Sequence, residues 1–521
     1  MSQEQSLGPG DCLQLERISK YLRAKQTYFV AIACLYAAIR LFVYSAAFPL
    51  FNSTDEQAHL DTVDKYAHGH RLSRELPPFN DQMKRLFSLY GTVEYFTPRT
   101  VIRSSNLETP VAKLPADRRE AQFERSFESW SKQRNTEAQS PPAYYWVAAL
   151  WYRLGEMAGM RDWKLAYWMR FLNILLYGTF LWVAYAFIKE VYPDNDFLVV
   201  GVPALLAVLP QDVFYGVNRE ALSPLVFALA LLLLFKSLNS QKAISAYLLW
   251  GGCLMTGVSF LTDIPNWVMF GAVLAIVYVW TKRRATAAGR VKSWSVAAGG
   301  LLASAFLPLL WMVRNLSLTG DLSGSQAKIE YLTWTVKPWH EIWQHPILSR
   351  AGLGYFLQEL TNSYWRGEYV WEGYPLKWAV ADGFYILSSC LFIGLLAAHL
   401  LGNRGQKDNT RRLDGLLSLY LLSASILFLA GLSMVFDFHF CKYPSRMAPY
   451  FVSGRIMAGT LLPFAVLYVN GFQHLVGRIS KKTHPVLVFL PLCAFVAISE
   501  ALTVHEVFRS QFNFYHLLGH V

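Results

Sequence analysis

Apolar runs long enough to cross a lipid bilayer recur along the whole chain, and they restrict the folds open to it. A helix that crosses the hydrocarbon core needs about 20 consecutive apolar residues. Because that core offers no water to backbone polar groups, spanning segments must satisfy those groups internally, and runs of this length do so as helices. Only 16% of the 521 residues are charged, against about a quarter in soluble domains. The sequence therefore predicts an all-α polytopic membrane protein.

Basic residues are concentrated in the N-terminal segment and in three short loops between apolar runs. The net charge of +12 would suit a nucleic-acid partner if these residues formed one surface. Their confinement to short loops instead follows the positive-inside rule of membrane orientation, so we expect no nucleic acid as a partner. The four basic segments are Arg17–Lys25, Lys282–Lys292, Arg404–Arg412 and Arg478–Lys482.

Placing the four basic segments on the inner side predicts about eleven transmembrane helices, with the C-terminus outside. Residues 1–26 form an inner tail, and residues 27–320 form a seven-span core whose large outer loop is 50–164. Residues 321–521 contain most of a second outer loop, 315–380, and a C-terminal region of four spans. Both outer loops are expected to carry juxtamembrane helices. The expected spans are 27–49, 165–189, 197–212, 220–236, 243–262, 265–281, 294–314, 381–402, 413–436, 455–473 and 485–503.

Segment 143–157 is apolar, but the alternation of the other spans leaves no place for a single crossing there. It is rich in tyrosine and tryptophan, which suit the headgroup level of a membrane. We therefore expect an interfacial or re-entrant helix. The alternative is a true span, which would require another expected span to be wrong.

Asp55 and Glu56 follow directly after the first apolar run and open the large outer loop. Carboxylates next to a bilayer are costly and usually mark a functional site, although they could also cap a helix that begins near Gln57. On that helix His59 would share a face with both acids. Glu-x-x-His is also a metal-ligand spacing, so a divalent metal could bind, but an ordinary ion pair explains so few ligands better. The cofactor content stays open.

Three arginines lie at the outer ends of apolar runs, where the positive-inside rule disfavours them: Arg170, Arg314 and Arg455. Guanidinium groups bind phosphate bidentately, whereas each arginine alone could simply extend to the headgroups. Glu220 begins another apolar run after Asn218. It could face Asp55 as a second acid, or it could form a buried ion pair with Arg219 or Arg170.

In their order along the chain these residues resemble the motifs of the C-type (GT-C) superfamily of polytopic membrane glycosyltransferases, which includes protein O-mannosyltransferases and lipid A aminoarabinose transferases. The chain departs from the usual motifs at Glu220, which is more often Asp, at Asp263, which is often Lys, and at Ile456, which is often Tyr. The matching motifs are Asp55-Glu56 with His59, Pro141-Pro-Ala-Tyr-Tyr145, Arg170, Pro210 with Asn218-Arg-Glu220, Arg314-Asn315 with Gly320-Asp321, and Gly454-Arg455.

The resemblance implies transfer of a hexose or pentose from a polyprenyl-phosphate donor to a glycan, lipid or protein acceptor, with inversion, on the outer face of a membrane. Asp55 would act as the base, and Glu56 would support it or bind the acceptor. Substrate contacts are expected from His59, Tyr145, Arg170, Asn218, Glu220, Arg314 and Arg455.

We expect the inner membrane of a bacterium, with the site facing the periplasm. Two other functions stay open. One is a lipid-sugar transporter or flippase. The other is a polysaccharide polymerase or ligase that uses pyrophosphate-linked sugars.

Overall fold

The computed structural model describes residues 9–518 except 53–54, 70–72, 96, 106, 108, 242, 285–289, 403–409 and 442. Within these ranges the regular structure is almost entirely helical. The α-helices are α1 Pro9–Ala47, α2 Glu56–Ala67, α3 Asp81–Tyr90, α4 Arg99–Ser104, α5 Ala116–Ser131, α6 Ala143–Met157, α7 Asp162–Val191, α8 Asp196–Val208, α9 Ser223–Asn239, α10 Ala243–Thr262, α11 Met269–Arg284, α12 Arg290–Thr319, α13 Gln326–Tyr331, α14 Trp339–Ile342, α15 Arg350–Arg366, α16 Ala379–Gly402, α17 Thr410–Val435, α18 Leu461–Ile479, α19 Pro485–Val504 and α20 Phe514–Leu518.

Short 3-10 helices and four two-residue strands complete the described structure. Strand β1 Thr335–Val336 pairs antiparallel with β4 Phe436–Asp437, and β2 Val370–Trp371 pairs antiparallel with β3 Tyr374–Pro375. The 3-10 helices are Val111–Lys113, Asp212–Phe214, Arg219–Leu222, Ile264–Val268, Pro346–Leu348, Gly454–Thr460 and His505–Arg509.

Ten helical segments of the described chain are long and apolar enough to cross a membrane, which confirms the all-α polytopic expectation. They are Glu16–Ala47, Asp162–Val191, Arg219–Asn239, Ile244–Thr262, Ile264–Arg284, Val291–Thr319, Ala379–Gly402, Thr410–Val435, Gly454–Ile479 and Pro485–Leu518. The expected span 197–212 corresponds to α8, an apolar helix of 13 residues. It packs against α1, α7, α18 and α19, so its surroundings are protein.

The expected inner tail is, from Pro9 onwards, continuous with the first span, because α1 runs unbroken for 39 residues. Its basic end is fastened to the start of α8. Arg23 Nε lies 3.0 Å from Asp196 Oδ1, and Gln26 Nε2 donates to the same oxygen at 3.0 Å. Residues 1–8 of the expected tail lie outside the described residues.

Helix α6 coincides with segment 143–157, has 15 residues, and is not among the ten candidate spans of the described chain. One of its faces is buried and carries Tyr145 and Tyr152. The opposite face exposes Trp146, Leu150 and Leu154. A two-sided helix of this length suits an interfacial position, which stays a prediction.

The described parts of the two outer loops, 50–164 and 315–380, meet at one end of the bundle, which we call the loop face. The segment before α6 contacts α13, because Tyr331 OH lies 3.4 Å from Arg134 N. The β2–β3 turn is fixed to the first outer loop, because Glu372 N donates to Glu94 O at 2.6 Å. The β1–β4 pairing joins the second outer loop to the end of α17.

The two most buried candidate spans lie at the centre of the bundle. Gly454–Ile479 is 83% buried and Arg219–Asn239 is 78% buried, whereas Val291–Thr319 and Ala379–Gly402 are each 28% buried. Each central segment has an arginine at or next to its loop-face start, Arg219 and Arg455. Both guanidinium groups form ion pairs with carboxylates of the protein.

Candidate active site

Asp55 immediately precedes α2 and adopts the left-handed conformation, with φ 63° and ψ 6°. A non-glycine residue rarely adopts this conformation, so its neighbours must hold it. Its side chain is 38% exposed, and its Oδ2 atom accepts a hydrogen bond of 2.9 Å from Arg455 Nη2. Asp55 is the N-cap residue of α2, but its side chain makes no capping hydrogen bond.

Glu56 forms a bidentate ion pair with Arg170, and both side chains are about 1% exposed. Arg170 Nε and Nη2 each donate to a different carboxylate oxygen at 2.7 Å. Backbone N–H groups of Phe51 and Val217 donate to the same two oxygens at 2.8 and 3.0 Å. The carboxylate therefore has two donors on each oxygen and is satisfied within the protein.

The remaining donors of Arg170 are also occupied. Nη1 donates to Ser45 O at 2.9 Å and to Phe48 O at 2.6 Å, and Nη2 donates to Pro49 O at 2.7 Å. With its two bonds to Glu56, the guanidinium has all five N–H groups engaged. Arg170 thus joins α7, the end of the first span and the start of α2, and does not face a ligand site.

A second set of charges surrounds Arg219, which begins the central segment before α9. Its Nη1 atom is bound to Glu137, and its Nε atom lies 3.2 Å from Asp263 Oδ1 and 3.7 Å from Glu220 Oε1. Lys328 binds the other oxygen of Glu137. The buried-pair alternative for Glu220 is therefore observed with Arg219, at a long distance, and not with Arg170.

Sequence reasoning missed Glu137 and Lys328 as members of this site. Glu137 precedes the Pro141-Pro142 pair, and its side chain is 2% exposed. An acid this close to the Pro141–Tyr145 motif could have been predicted as a site residue from the sequence. Lys328 lies in the second outer loop and carried no signal, because its partner is 191 residues away.

Arg455 lies between two carboxylates. Besides its bond to Asp55, its Nε atom is 3.3 Å from Ser453 Oγ and 3.6 Å from Glu368 Oε2. Gly454 is required beside it, because a Cβ atom there would overlap the backbone of Tyr364. The turn is thus pressed against the end of α15, which fixes where the guanidinium can reach.

The other expected site residues are partly gathered here. His59 Nδ1 and Tyr145 OH are joined by a hydrogen bond of 2.8 Å, and both residues are buried. Asn218 Oδ1 accepts from Glu220 N at 3.2 Å. Arg314 is exposed at the loop-face end of α12, and its side chain has no hydrogen bond or ion pair with any described residue.

Charge balance sets the protonation of the site. Burial alone would raise the pKa of Asp55, but Arg455 and Lys328 outweigh it and hold that pKa below its ordinary value. Burial likewise opposes ionisation of Glu137, but Arg219 and Lys328 hold its pKa well below the usual range. Both carboxylates are therefore ionised at neutral pH.

In two further groups the pKa shift favours the neutral form. Burial raises the pKa of Asp263 to about 7, although Arg219 opposes this shift. Burial also lowers the pKa of His59, although Glu137 and Glu220 oppose it. His59 is therefore neutral at pH 7 and serves as a hydrogen-bonding group and not as a cation.

Several buried polar atoms of the described residues near these charges have no hydrogen-bond partner. Buried polar groups are normally paired, so such atoms mark places where water or a ligand would bind. Among the residues that the structure describes, no group of three or more His, Cys, Asp or Glu residues could hold a metal ion. The unpaired atoms include Asn218 Nδ2, Glu220 Oε2 and Asp212 Oδ1.

Similar solved structures include those of ArnT and of an oligosaccharyltransferase. ArnT from Cupriavidus metallidurans bound to undecaprenyl phosphate is 13% identical, with a TM-score of 0.43, covering 95% of this chain and 76% of that one. Its apo state gives a TM-score of 0.41 with the same identity and coverage. The oligosaccharyltransferase of Archaeoglobus fulgidus is 13% identical, with a TM-score of 0.39, covering 89% of this chain and 53% of that one.

No curated protein sequence matches the chain. A family profile described as "Predicted membrane protein (DUF2142)" matches residues 39–438. This range holds eight of the ten candidate spans in whole or in part, and every expected site residue except Arg455. The chain therefore belongs to the DUF2142 family of membrane proteins.

Proposed function

We propose that this protein is a membrane glycosyltransferase that moves a sugar from a polyprenyl-phosphate donor to an acceptor hydroxyl or amine. The observation that carries this proposal is the Asp55–Arg455 pair. A partly exposed carboxylate, held in a strained conformation, is bound to a guanidinium at the loop face. A base beside a phosphate-binding cation is what this transfer requires.

The reaction begins when the donor phosphate binds Arg455, since guanidinium groups bind phosphate oxygens bidentately. Asp55 then loses its ion pair and its carboxylate becomes more basic. It takes the proton of the acceptor hydroxyl as the acceptor oxygen attacks the anomeric carbon. The bond from that carbon to the phosphate oxygen breaks on the opposite face, and polyprenyl phosphate leaves with the electron pair. The anomeric configuration is inverted.

One ionised carboxylate suffices for this reaction because phosphate is a good leaving group. Glycosidases need a second carboxyl group as an acid, since their leaving group is an alcohol. We therefore assign Glu56, with its satisfied carboxylate, to positioning Asp55 and not to proton transfer. Arg170 has the same positioning role.

The remaining residues are assigned to binding. Arg314 is the second candidate for the donor phosphate, because its side chain is exposed at the loop face. Asn218 Nδ2 and Glu220 Oε2 lack partners among the described residues and are suited to sugar hydroxyls. The neutral His59–Tyr145 pair shapes the wall behind Asp55.

We place the loop face on the periplasmic side of a bacterial inner membrane. The basic end of α11, Lys282–Arg284, supports this orientation, because it follows the span that starts near Asp263 at the loop face. Tagging a loop-face residue with a membrane-impermeant reagent in intact cells tests the orientation.

The test of function compares cells that produce the wild-type protein with cells that produce Asp55→Asn, using mass spectrometry of extracted polyprenyl phosphates. We expect one monosaccharide-phosphate lipid to accumulate only with Asp55→Asn, and its mass identifies the sugar. Asp117→Asn is the matched control, because Asp117 is an exposed acid on α5. Full transfer by purified Asp55→Asn with that donor would refute the assignment.

The same lipids separate the rival functions. A transporter or flippase would carry the lipid-linked sugar across vesicles without transferring it. A polymerase or ligase would leave pyrophosphate-linked oligosaccharides unconsumed instead of a monosaccharide-phosphate lipid.

A further inference from the structure

A groove of about 480 Å³ lies between the β2–β3 hairpin and the loop-face end of α19. Its volume falls within the range of about 300–1,000 Å³ that small-molecule sites occupy. Three aromatic side chains, Trp371, Tyr374 and Trp378, and two carboxylates, Glu372 and Glu506, are among its lining groups. None of these residues belongs to the proposed transfer site.

The walls of the groove are held in place without a ligand. The hairpin turn is anchored by hydrogen bonds from Glu372 N to Glu94 O at 2.6 Å and from Gly373 N to Tyr95 O at 3.1 Å. Trp378 packs against Phe495 of α19, with ring centroids 5.9 Å apart. The groove is therefore preformed, which lowers the entropy cost of binding.

The aromatic groups differ in exposure in a way that suits stacking. Trp371 is 6% exposed and forms part of the floor, whereas Tyr374 is 72% exposed at the rim. The ring of Tyr374 packs against no other aromatic ring of the described chain. An unpacked ring next to a fixed hairpin offers its face to a ligand with an apolar face of its own.

The polar lining groups suit a ligand that carries hydroxyl groups. Aromatic side chains near a membrane end also serve as headgroup anchors. Burial raises the pKa of Glu372, Arg99 opposes this rise, and Glu506 adds to it. The lining also contains Lys377, and Arg99 Nε lies 3.8 Å from Glu372 Oε1, so charges of both signs are present. Carboxylates accept hydrogen bonds from hydroxyl groups, and an ammonium group donates hydrogen bonds to them. Sugars combine such hydroxyls with apolar C–H faces.

The groove also lies close to the proposed transfer site. Trp371 is three residues beyond Glu368, so their Cα atoms are at most about 11 Å apart. Glu368 Oε2 is in turn 3.6 Å from Arg455 Nε, and Arg455 binds Asp55. A saccharide bound in the groove would therefore lie near the proposed transfer site.

We propose that this groove binds the saccharide units of an acceptor glycan, so that the acceptor is an oligosaccharide. The role of the saccharide as an acceptor rests on the proposed function, whereas the binding of a saccharide by the groove does not.

The test is calorimetric titration of the full-length protein in phosphatidylcholine nanodiscs, without donor, against a panel of neutral, amino and acidic trisaccharides. Nanodiscs avoid sugar-based detergents, which would occupy the groove. We expect at least one trisaccharide to bind. Tyr374→Ala or Glu506→Gln should weaken that binding roughly three- to tenfold, the range for one lost stacking contact or hydrogen bond.

The control is Trp339→Ala, because Trp339 is another exposed aromatic at the loop face, also 72% exposed. It should leave binding unchanged. The proposal is overturned if no trisaccharide binds or if both groove variants bind it as tightly as the wild-type protein does. It is also overturned if phosphatidylglycerol vesicles or an oligolysine peptide, titrated in the same way, are the only ligands that bind. Saccharide binding combined with full transfer by Asp55→Asn would instead refute the proposed function and leave the groove assignment standing.

Discussion

Two consecutive carboxylates, Asp55 and Glu56, each pair with an arginine, and the two pairs have opposite characters. The Glu56–Arg170 pair is about 1% exposed on both sides, and its donors and acceptors are all engaged. In the Asp55–Arg455 pair the carboxylate is 38% exposed and the guanidinium is shared with Glu368. The first pair can act only by holding the chain in place. The second can exchange a partner for a ligand.

The Glu56–Arg170 pair should therefore affect stability, and the Asp55–Arg455 pair should affect activity. A buried ion pair contributes little relative to an apolar replacement, but removal of one partner strands the other charge. A partly exposed pair contributes about 0–1 kcal/mol to stability.

Replacing Arg170 by Met should have the largest effect, because the Glu56 carboxyl group is left buried without its partner. We expect a loss of about 3–5 kcal/mol of stability. The measurement is the midpoint of thermal unfolding in detergent, together with the yield of folded protein. A wild-type midpoint would mean that the buried pair does not hold the start of α2.

Asp55→Asn should abolish most of the transfer and leave the fold intact. Loss of a general base reduces the rate by about 10²- to 10⁴-fold, whereas the exposed pair adds little stability. Transfer by the purified protein and its unfolding midpoint are measured on the same preparation. If activity and midpoint fall together, Asp55 is structural, like Glu56.

Arg455→Lys should weaken donor binding by about 10- to 100-fold, the equivalent of one charge-assisted hydrogen bond, because an ammonium lacks the bidentate fork. The effect is expected in KM for the donor.

Arg455→Gln adds a pH test. Arg455 lowers the pKa of Asp55, so its loss should raise that pKa. The base is active when ionised, and the acid limb of the activity profile should therefore move to higher pH. An unmoved acid limb would show that Asp55 is not the titrating base.

Salt should have the smallest effect and should distinguish the pairs directly. Raising ionic strength from about 0.05 M to about 0.5 M shortens the screening length from roughly 14 Å to roughly 4 Å. We expect donor binding to weaken a fewfold while the unfolding midpoint stays nearly constant. An equal response of both quantities would contradict the assignment of the two pairs.

Much of the architecture was predictable because bilayer crossing is a local property of the sequence. Apolar runs identified the spans, and the alternation of those spans set segment 143–157 apart, which forms α6 and is not a candidate span. The exception is α8, whose 13 residues are surrounded by other helices. A buried helix need not match the bilayer thickness, and the local sequence does not reveal what surrounds it.

The sequence by itself determined the membrane class, the candidate acids and the candidate arginines. It could not say which arginine meets which acid, because Glu56 and Arg170 are 114 residues apart and Asp55 and Arg455 are 400 apart. It also gave no reason to join Lys328 to Glu137. Only the tertiary structure decided these pairings, because burial, which separates a saturated ion pair from an exchangeable one, depends on how distant helices pack.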